Sequence, residues 1–587
     1  MIGRKGNRLC YLSSFFPQPV GLRVLRFNKH DIMSIIGLKK NQKRMQGTLR
    51  FKTLSMALLC CASLAASPVI RKSITVTGPD GSELVLMPHG DEFGVWYTDT
   101  EGRVMVQDAQ GNFVYGRPDA AVVNRARAAA QNRIGEMSIH EGSPRIPVIL
   151  VSFADKDFSE KDPKAGFENR LCRAATRSEV EAGNGSAYQY FADQSDGKFT
   201  PEFEIIGPLK LSQPEVSYVN KEAEMVSEAV AMASEQGIVP DWSVYDSNGD
   251  GMVDASYVIF AGEGRHAHPQ DMTLIWPQTS VFVNNPPQAD GVTFHAYSCC
   301  NELLYDELDG FGTFCHEFSH QLGLPDFYRT DGGILTEFNM GPWSLMDYGG
   351  YNGGGYLPVG YRALEKWCMG WTEPVELDKA ATVVGWPANA APLKVSNNVD
   401  NSEYYILETI DGKGWNHDCP AEGILITHVY LPGGFNSNSW KDNSLNNSAA
   451  PSVHVIAADN ERLQLVTGVN EAEYEESIRH DLYPNEAGNN ELTDTSTPAA
   501  NVYVGLWGLM GKPITEMTYD AQTGRASFQF MGGDDQNVIT SVNAPLLQAG
   551  AEEGCWSLDG LRWDKKPNQK GIYIVRDAQG NLIKVLR

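Results

Sequence analysis

Short segments in which apolar and polar residues alternate dominate the chain between residues 73 and 115. Turn-forming sequences interrupt them at residues 79–81, 99–102 and 110–111. Alternation with a period of two is typical of strands that bury one face, and closely spaced turns join such strands into hairpins. This pattern predicts an antiparallel β-meander.

The pattern changes after residue 145. A continuous apolar run from Pro147 to Phe153 predicts a buried strand, and residues 254–261 and 291–298 predict two more. Residues 222–235 place apolar positions at helical spacing and are followed by Gly237, a residue that commonly ends helices. These elements predict a domain that contains both helices and strands, spanning residues 146–372.

From residue 373 to 531 the chain returns to short strands, such as Tyr404–Glu408 and Gly423–Val429, separated by loops rich in Asn, Gly and Ser. Many short strands of this kind predict a β-sandwich. The fold class expected for the whole chain is therefore multidomain α+β.

The strongest chemical signal lies in the predicted helix Thr313–Leu322. His316 and His320 stand one helical turn apart on the same face, a spacing at which two imidazoles can bind one metal ion. Glu317 is rotated by about 100° from His316, so its carboxylate would lie beside the metal and could take a proton from an attacking water. This pattern predicts two zinc ligands and a general base.

A third ligand is predicted directly after this helix. Gly323 can end the helix, Pro325 prevents its continuation, and the reversed chain can bring Asp326 back to the metal. Two histidines and one aspartate leave a fourth zinc position open for water, as in catalytic zinc sites.

These residues, with Ser344-Leu-Met-Asp-Tyr348 downstream, resemble the metzincin metallopeptidases. The aspartate at the third ligand position is similar to the immune inhibitor A group, the M6 family of secreted bacterial metalloproteases. The resemblance implies that Met346 lies beneath the zinc, that Tyr348 stabilises the oxyanion, and that residues 291–298 form an edge strand that binds peptide. Looser matches at residues 89–93, 195–199, 246–251 and 403–408 extend it over about residues 70–530.

The resemblance also implies a precursor in which residues 67–145 form a β-rich pro-region and linker. His89 or Asp91 would then block the zinc, because the pro-region has no cysteine. Residues 121–133 are rich in Ala and Arg, which predicts either an exposed linker or a helix packed on the catalytic domain. The exposed alternative would open Arg125, Arg127, Arg133 and Arg145 to a trypsin-like protease.

A second metal site is predicted in the loop between residues 246 and 254. Oxygen-bearing side chains occupy loop positions 1, 3, 5 and 9, and Gly251 stands at the sharp turn, as in the first half of a calcium loop. Position 12 is Tyr257 and not glutamate, so a plain hairpin turn remains the alternative. The predicted calcium ligands are Asp246, Asn248, Asp250 and Asp254.

Charge and leader sequences bear on location and partners. The chain carries 48 Lys and Arg against 73 Asp and Glu, a net charge of −25, which disfavours nucleic acid as a partner. Residues 1–66 form a basic leader, and residues 45–66 within it read as a secretory signal peptide ending in small residues. We expect a secreted or cell-surface protein without a transmembrane span.

The end of the chain and the scattered cysteines and histidines add less. Residues 537–587 resemble the small β-domains that sort proteins through the type IX secretion system, or they add one more strand pair to the sandwich. Seven cysteines follow the signal peptide, so at least one is unpaired if all bridges are intramolecular. Three histidines of the sandwich lack a fixed spacing and predict structural roles: His417, His428 and His454.

The sequence thus predicts a secreted zinc endopeptidase that hydrolyses peptide bonds of proteins by attack of a zinc-activated water. Two other classes remain open at this stage. One is a surface adhesin or glycan-binding protein in which the metal domain is a scaffold, and the other is a metal-dependent hydrolase of a non-peptide substrate. The sequence does not predict the oligomeric state.

Overall fold

In a computed structural model, the chain is described over residues 64–78, 81–108, 110–118, 139–330, 339–461, 471–505, 507–540, 555–557, 562–563, 572–576 and 582–586. The predicted leader up to residue 63, the predicted linker at 121–133 and most of the predicted sorting tail lie outside these residues. No helix within the described part is long and apolar enough to cross a membrane.

The N-terminal part contains the predicted meander. Five strands pair in sequence order, each antiparallel to the next, and their buried core is small: Leu86, Tyr97, Met105 and Phe113. A preceding strand, β1, joins a different sheet. The strands are β1 (Leu64–Ala66), β2 (Ile74–Thr77), β3 (Glu83–Asp91), β4 (Gly94–Thr98), β5 (Val104–Gln107) and β6 (Phe113–Tyr115).

A seven-stranded sheet organises the middle of the chain. Its order is β1-β11-β14-β10-β7-β8, with β15 also paired to β14, and β11 is antiparallel to β14. Strands from the same part of the chain form a separate three-stranded sheet of order β12-β13-β9. The strands are β7 (Arg145–Ser152), β8 (Glu202–Lys210), β9 (Met252–Val253), β10 (Tyr257–Glu263), β11 (Gln278–Val281), β12 (Gln288–Ala289), β13 (Val292–Phe294), β14 (Ala296–Leu304) and β15 (Glu307–Leu308).

The prediction that residues 291–298 form an edge strand is wrong. Those residues divide between β13, in the small sheet, and the start of β14, which lies inside the large sheet. The outermost strand that the central region itself contributes on this side is β11, and β1 pairs with it. The apolar pattern could not reveal β11 because it is only four residues long and three of them are polar.

Helices cover both faces of the large sheet. Alternate residues of β7 point to opposite sides, so Val148 packs in a core with the α5 residue Phe318 while Ile149 packs with the α4 residue Val226. The α-helices are α1 (Pro163–Leu171), α2 (Arg177–Glu181), α3 (Ala187–Gln194), α4 (Glu222–Glu235), α5 (Gly312–Gln321), α6 (Ala363–Cys368), α7 (Asn438–Lys441) and α8 (Glu471–Arg479).

Two further sheets follow and pack face to face, as the predicted sandwich requires. Their shared core includes Leu407 from one sheet and Phe528 from the other. The sheet orders are β16-β18-β19-β20-β21 and β22-β23-β17-β24. The strands are β16 (Val375–Glu376), β17 (Ala381–Pro387), β18 (Leu393–Ser396), β19 (Glu403–Ile410), β20 (Gly423–Tyr430), β21 (Val453–Val455), β22 (Ile514–Asp520), β23 (Arg525–Phe530) and β24 (Val538–Ile539).

The first sandwich sheet also packs on its other face, against the region that carries the zinc motif. Ile406 and Leu425 lie in the same buried cluster as Phe314 of α5. The sandwich and the region that carries the zinc motif therefore share one continuous core.

The C-terminal strands form a separate four-stranded sheet of order β26-β25-β27-β28. They are β25 (Cys555–Ser557), β26 (Arg562–Trp563), β27 (Ile572–Arg576) and β28 (Leu582–Leu586). The first residues of the predicted C-terminal domain belong instead to the sandwich, because β24 pairs with β17.

Helix α5 lies unusually close to a neighbouring loop, and glycine permits this. A Cβ atom added at Gly312 would lie 1.9 Å from the carbonyl oxygen of Gly350, a contact that neither backbone can avoid without moving. A Cβ atom on Gly350 itself would meet no atom closer than 3.5 Å.

We expect Gly312→Ala to lower the free energy of unfolding by about 1–3 kcal/mol, because the helix must move away from the Gly350 backbone. Gly350→Ala is the matched control and should change it by less than about 1 kcal/mol. Chemical denaturation of both variants measures the difference. Equal stability of the two variants would contradict the close approach.

Candidate functional site

The two predicted zinc ligands of α5 point their Nε2 atoms at each other. These atoms lie 3.2 Å apart, and both side chains are buried. The Nδ1 atom of His316 lies 2.8 Å from the Leu345 carbonyl oxygen, and that of His320 lies 2.7 Å from the Leu324 carbonyl oxygen. A carbonyl can only accept, so each Nδ1 carries the proton and each Nε2 presents a lone pair.

Asp326 completes this group from the turn after the helix. Gly323 adopts a φ of +96°, a left-handed conformation that favours glycine, and its N–H donates to the His320 carbonyl. The chain then reverses, and Asp326 Oδ1 lies 3.2 Å from the Nε2 atom of each histidine. All three ligand atoms fall within 4.8 Å of one another.

The chemistry of these three atoms fits a cation. In these tautomers two imidazole lone pairs and a carboxylate oxygen converge, and Asp326 Oδ1 is buried without a geometrically satisfied hydrogen bond. Burial opposes ionisation of Asp326, but the charge and the hydrogen bonds of protonated His320 and His316 outweigh it and lower the pKa of this carboxyl. A bound cation would take over that role from the protons. A neutral imidazole pair with an anionic carboxylate is a donor set that zinc prefers.

Asn443 holds the third ligand in place. Its Nδ2 donates to Asp326 Oδ2 at 2.5 Å, and its side-chain Oδ1 accepts from the Asp326 backbone N–H at 2.7 Å. Asn443 follows α7, 117 positions after the aspartate it contacts. The sequence analysis missed it because it stands in an Asn- and Ser-rich loop without a distinguishing pattern.

Glu317 lies beside the ligand group, as the helical rotation predicts. Its Oε2 accepts from the Thr279 hydroxyl at 3.0 Å, and its Oε1 accepts from the backbone N–H and the hydroxyl of Ser67, each at 2.7 Å. The side chain is fully buried. Burial raises the pKa of Glu317 to about 7, with His316, Ser67 and Thr279 opposing the rise.

The turn that contains Met346 contacts the site through its backbone. The Leu345 carbonyl orients His316, and the Met346 carbonyl accepts from the Phe327 N–H at 2.7 Å. Met346 itself is fully buried in the same apolar cluster as Phe318. The turn therefore contacts both His316, a predicted zinc ligand, and Phe327, the residue after Asp326.

The Tyr348 side chain is half-buried, and a residue of the predicted pro-region contacts its hydroxyl. Its hydroxyl accepts from the Arg71 Nε atom at 2.8 Å, and the Arg71 guanidinium lies 4.2 Å from the centre of its ring. Burial is the main cause of a raised pKa of Tyr348, and the charge of Arg71 opposes it.

Residues 64–71 run past the side chains of Glu317 and Tyr348. The groove that they occupy is called the cleft below. Strand β1 pairs antiparallel with β11, so Ala66 lies opposite Gln278. Past Ser67, the Trp276 indole N–H donates to the Ser67 carbonyl at 3.0 Å, and the Tyr351 hydroxyl donates to the Pro68 carbonyl at 2.7 Å.

The structure brings Ser67 and Arg71 into the cleft, and it places the predicted blocking group His89 elsewhere. The His89 ring stacks on Trp96 at 4.1 Å, and its Nε2 atom lies 2.9 Å from the Thr98 hydroxyl oxygen. Asp91 accepts from the backbone N–H groups of a tight turn in the meander. Sequence reasoning missed Ser67 because the predicted signal peptide ends at the preceding residue.

The predicted calcium loop shows internal hydrogen bonds. Asp246 accepts from the backbone N–H groups of residues 249, 250 and 251, and Asp254 accepts from Ser247. The Asn248 side chain donates to Asp250. In the described part of the chain, the one group of His, Cys, Asp and Glu ligand atoms that converges is the one around Asp326. Calcium at this loop stays a prediction.

The histidines of the sandwich and the cysteines show no second metal centre among the described residues. His428 Nε2 lies 2.9 Å from Glu403, and its ring packs edge-on against that of His454 at 4.9 Å. The six cysteines whose side chains are described are free thiols: Cys172, Cys299, Cys300, Cys315, Cys368 and Cys419.

The geometry agrees with a comparison of the chain with known families. Residues 144–366 match the family model of the immune inhibitor A peptidase M6 catalytic domain. The resemblance stated from the zinc motif is thereby confirmed for residues 144–366, and the match together with the His316, His320 and Asp326 group supports a zinc metallopeptidase. A search of curated proteins finds no match to the chain.

Replacing Asn443 tests whether it holds the metal ligand. We expect Asn443→Ala to weaken zinc binding by about 10–100-fold, because Asp326 loses its only described side-chain donor. Competition with a chelator measures the affinity. Asn447→Ala is the matched control, since Asn447 holds Thr330 farther along the same loop. Equal zinc affinity in both variants would contradict this role.

Proposed function

We propose that the protein is a secreted zinc endopeptidase made as a precursor. The observation that carries the proposal is the convergence of His316, His320 and Asp326 next to the buried carboxyl of Glu317. The family match supports a metallopeptidase acting on protein substrates. No observation in the described part of the chain favours an adhesin or a hydrolase of other substrates.

His316, His320 and Asp326 would hold the zinc ion. Zinc, when bound, would supply Lewis acidity that lowers the pKa of a water molecule and polarises the scissile carbonyl. The three ligands are fixed by the Leu345 and Leu324 carbonyls and by Asn443. Such outer contacts keep the histidine tautomers and the carboxylate orientation constant during turnover.

Glu317 would act as the general base and later as the general acid. A buried carboxyl whose pKa lies near 7 can both accept a proton from the attacking water and return it to the leaving amine. The Thr279 hydroxyl, donating to Oε2, would keep the carboxylate oriented. Tyr348 would donate its hydroxyl proton to the tetrahedral oxyanion once Arg71 no longer occupies the space beside that hydroxyl.

Latency would arise from the segment Ser67–Arg71. Ser67 occupies one oxygen of the proposed base and Arg71 occupies the proposed oxyanion donor. With both groups engaged, a substrate cannot reach them. This supports a precursor whose N-terminal region must leave before peptides are cleaved.

The structure favours processing upstream of Ile139. His140 contacts the Leu322 carbonyl through Nε2 at 2.9 Å, and its own carbonyl accepts from the Trp371 indole at 2.7 Å. Arg145 already lies in β7, paired with Glu202 of β8. Cleavage after Arg133 would leave these contacts intact, whereas cleavage after Arg145 would remove them.

Two carboxylate variants test the mechanism. Glu317→Ala keeps all three ligands, so we expect it to bind zinc stoichiometrically and to lose peptidase turnover by several orders of magnitude. Asp326→Ala should lose zinc affinity and activity together. Metal analysis and a peptide-cleavage assay on both variants measure these effects. Wild-type turnover by Glu317→Ala would refute the mechanism, and wild-type zinc affinity of Asp326→Ala would place the third ligand elsewhere.

A comparison of two chain lengths tests latency. We expect the precursor that includes residues 67–133 to cleave peptides at least 10-fold more slowly than a chain beginning at Ile134. Arg71→Ala in the precursor should raise its activity, because the Tyr348 hydroxyl is released. Lys72→Ala is the control, since Lys72 lies over the Tyr305 ring and not over Tyr348. Equal activity of precursor and shortened chain would exclude inhibition by this region.

A further inference from the structure

The segment Ser67–Arg71 is held mainly through its backbone. The Ser67 carbonyl accepts from Trp276, the Pro68 carbonyl accepts from Tyr351, and the Ile70 N–H donates to the His266 carbonyl at 2.9 Å. Contacts of this kind do not depend on the side chains of the bound segment. The segment therefore traces a path that other peptides can follow.

Glu317 gives this path a reference point. Strand β1 lies on one side, paired with β11, and the Ser67 N–H contacts Glu317 directly. Arg71 lies four residues farther toward the C-terminus. Consider a peptide bound along the same path, with one backbone N–H donated to Glu317. The residue about four positions farther toward its C-terminus would then lie beside Tyr348.

Arg71 enters a pocket that is lined mostly by aromatic and apolar groups, with Asn352, Glu475 and Arg479 also in its wall. Its guanidinium stacks on Tyr348, and although burial lowers the pKa of Arg71, Tyr348, Tyr474 and Asp347 raise it. An open cavity of about 350 Å³ adjoins the side chain. Apart from Ile70 and Arg71, its walls belong to residues after the pro-region, including Pro342, Tyr351, Tyr474 and Ile478.

Two properties of this pocket suit arginine better than other side chains. A guanidinium is planar and weakly hydrated, so it stacks on aromatic rings at a lower desolvation cost than an ammonium group. Asp347 is buried and accepts from the Met340 and Gly341 N–H groups, which fixes a carboxyl near the cationic side chain. The walls remain when residues 67–133 are removed.

We propose that this pocket is a specificity site of the peptidase, which binds an arginine side chain of the substrate on the C-terminal side of the cleaved bond. The inference rests on the proposed function and names its substrate class: peptides with arginine a few residues after the scissile bond. In the precursor, Arg71 occupies the place of that side chain.

The test uses the chain that begins at Ile134 and a set of fluorogenic peptides. Each peptide carries a single arginine at one of the first six positions after the cleaved bond, and its matched partner carries citrulline, which is similar in shape and uncharged. Lysine and leucine peptides complete the set. We expect arginine to raise kcat/KM by about 10-fold over citrulline at one position near the fifth, chiefly through KM, and lysine to be intermediate.

Variants of Tyr474 connect the preference to the pocket. Tyr474→Leu should reduce the ratio of kcat/KM for arginine over citrulline peptides toward one, while turnover of leucine peptides stays near that of the wild type. Tyr474→Phe keeps the ring and should keep the preference. Tyr503→Leu is the matched control, because Tyr503 is 39% exposed and contacts the Pro451 carbonyl outside the pocket. Thermal melting of each variant shows that it is folded.

The outcomes separate the two proposals. If no peptide is cleaved, the proposed function fails. If peptides are cleaved without a preference for arginine at any position, or if the preference survives Tyr474→Leu in a folded protein, the function stands and the specificity pocket is refuted.

Discussion

The site depends on an electrostatic conflict that only a cation can resolve. Two imidazole Nε2 atoms and a carboxylate oxygen are held about 3.2 Å apart inside the protein, and in the metal-binding tautomer all three atoms are acceptors. Such acceptors repel one another, and the low dielectric of the interior strengthens that repulsion. The surrounding structure must therefore hold them rigidly, which explains why each of the three ligands has its own backbone or amide partner.

The sandwich takes part in this rigidity and is not an independent appendage. Asn443 reaches from its loops to Asp326, Trp440 donates to the Gly323 carbonyl at the end of α5, and Asn446 donates to the Phe327 carbonyl. Because Ile406 and Leu425 share a buried cluster with Phe314, the two regions cannot separate without exposing apolar surface. The geometry of the zinc ligands is thus tied to a region that carries none of them.

The sequence predicted what local geometry determines and missed what tertiary pairing determines. His316, Glu317, His320, Gly323 and Asp326 lie within eleven residues, so helical rotation and one glycine turn are enough to relate them. Strand β11 has four residues and no alternation to detect, and Asn443 meets Asp326 only after the chain has crossed another sheet. The meander and the sandwich were predictable because period-two patterns persist over several strands.

The two carboxylates of the motif show how environment assigns different chemistry to similar groups. Asp326 and Glu317 are both fully buried, which alone would raise the pKa of each. For Asp326 the charge and hydrogen bonds of protonated His320 and His316 outweigh burial, so its pKa is lowered and the carboxyl is anionic, as a metal ligand must be. Around Glu317 burial dominates, so its pKa approaches neutrality and it can exchange a proton. Glu317 on α5 and Asp326 in the turn after it are thus both buried carboxyls with different protonation behaviour, and Ser67 lies against Glu317, the proposed base.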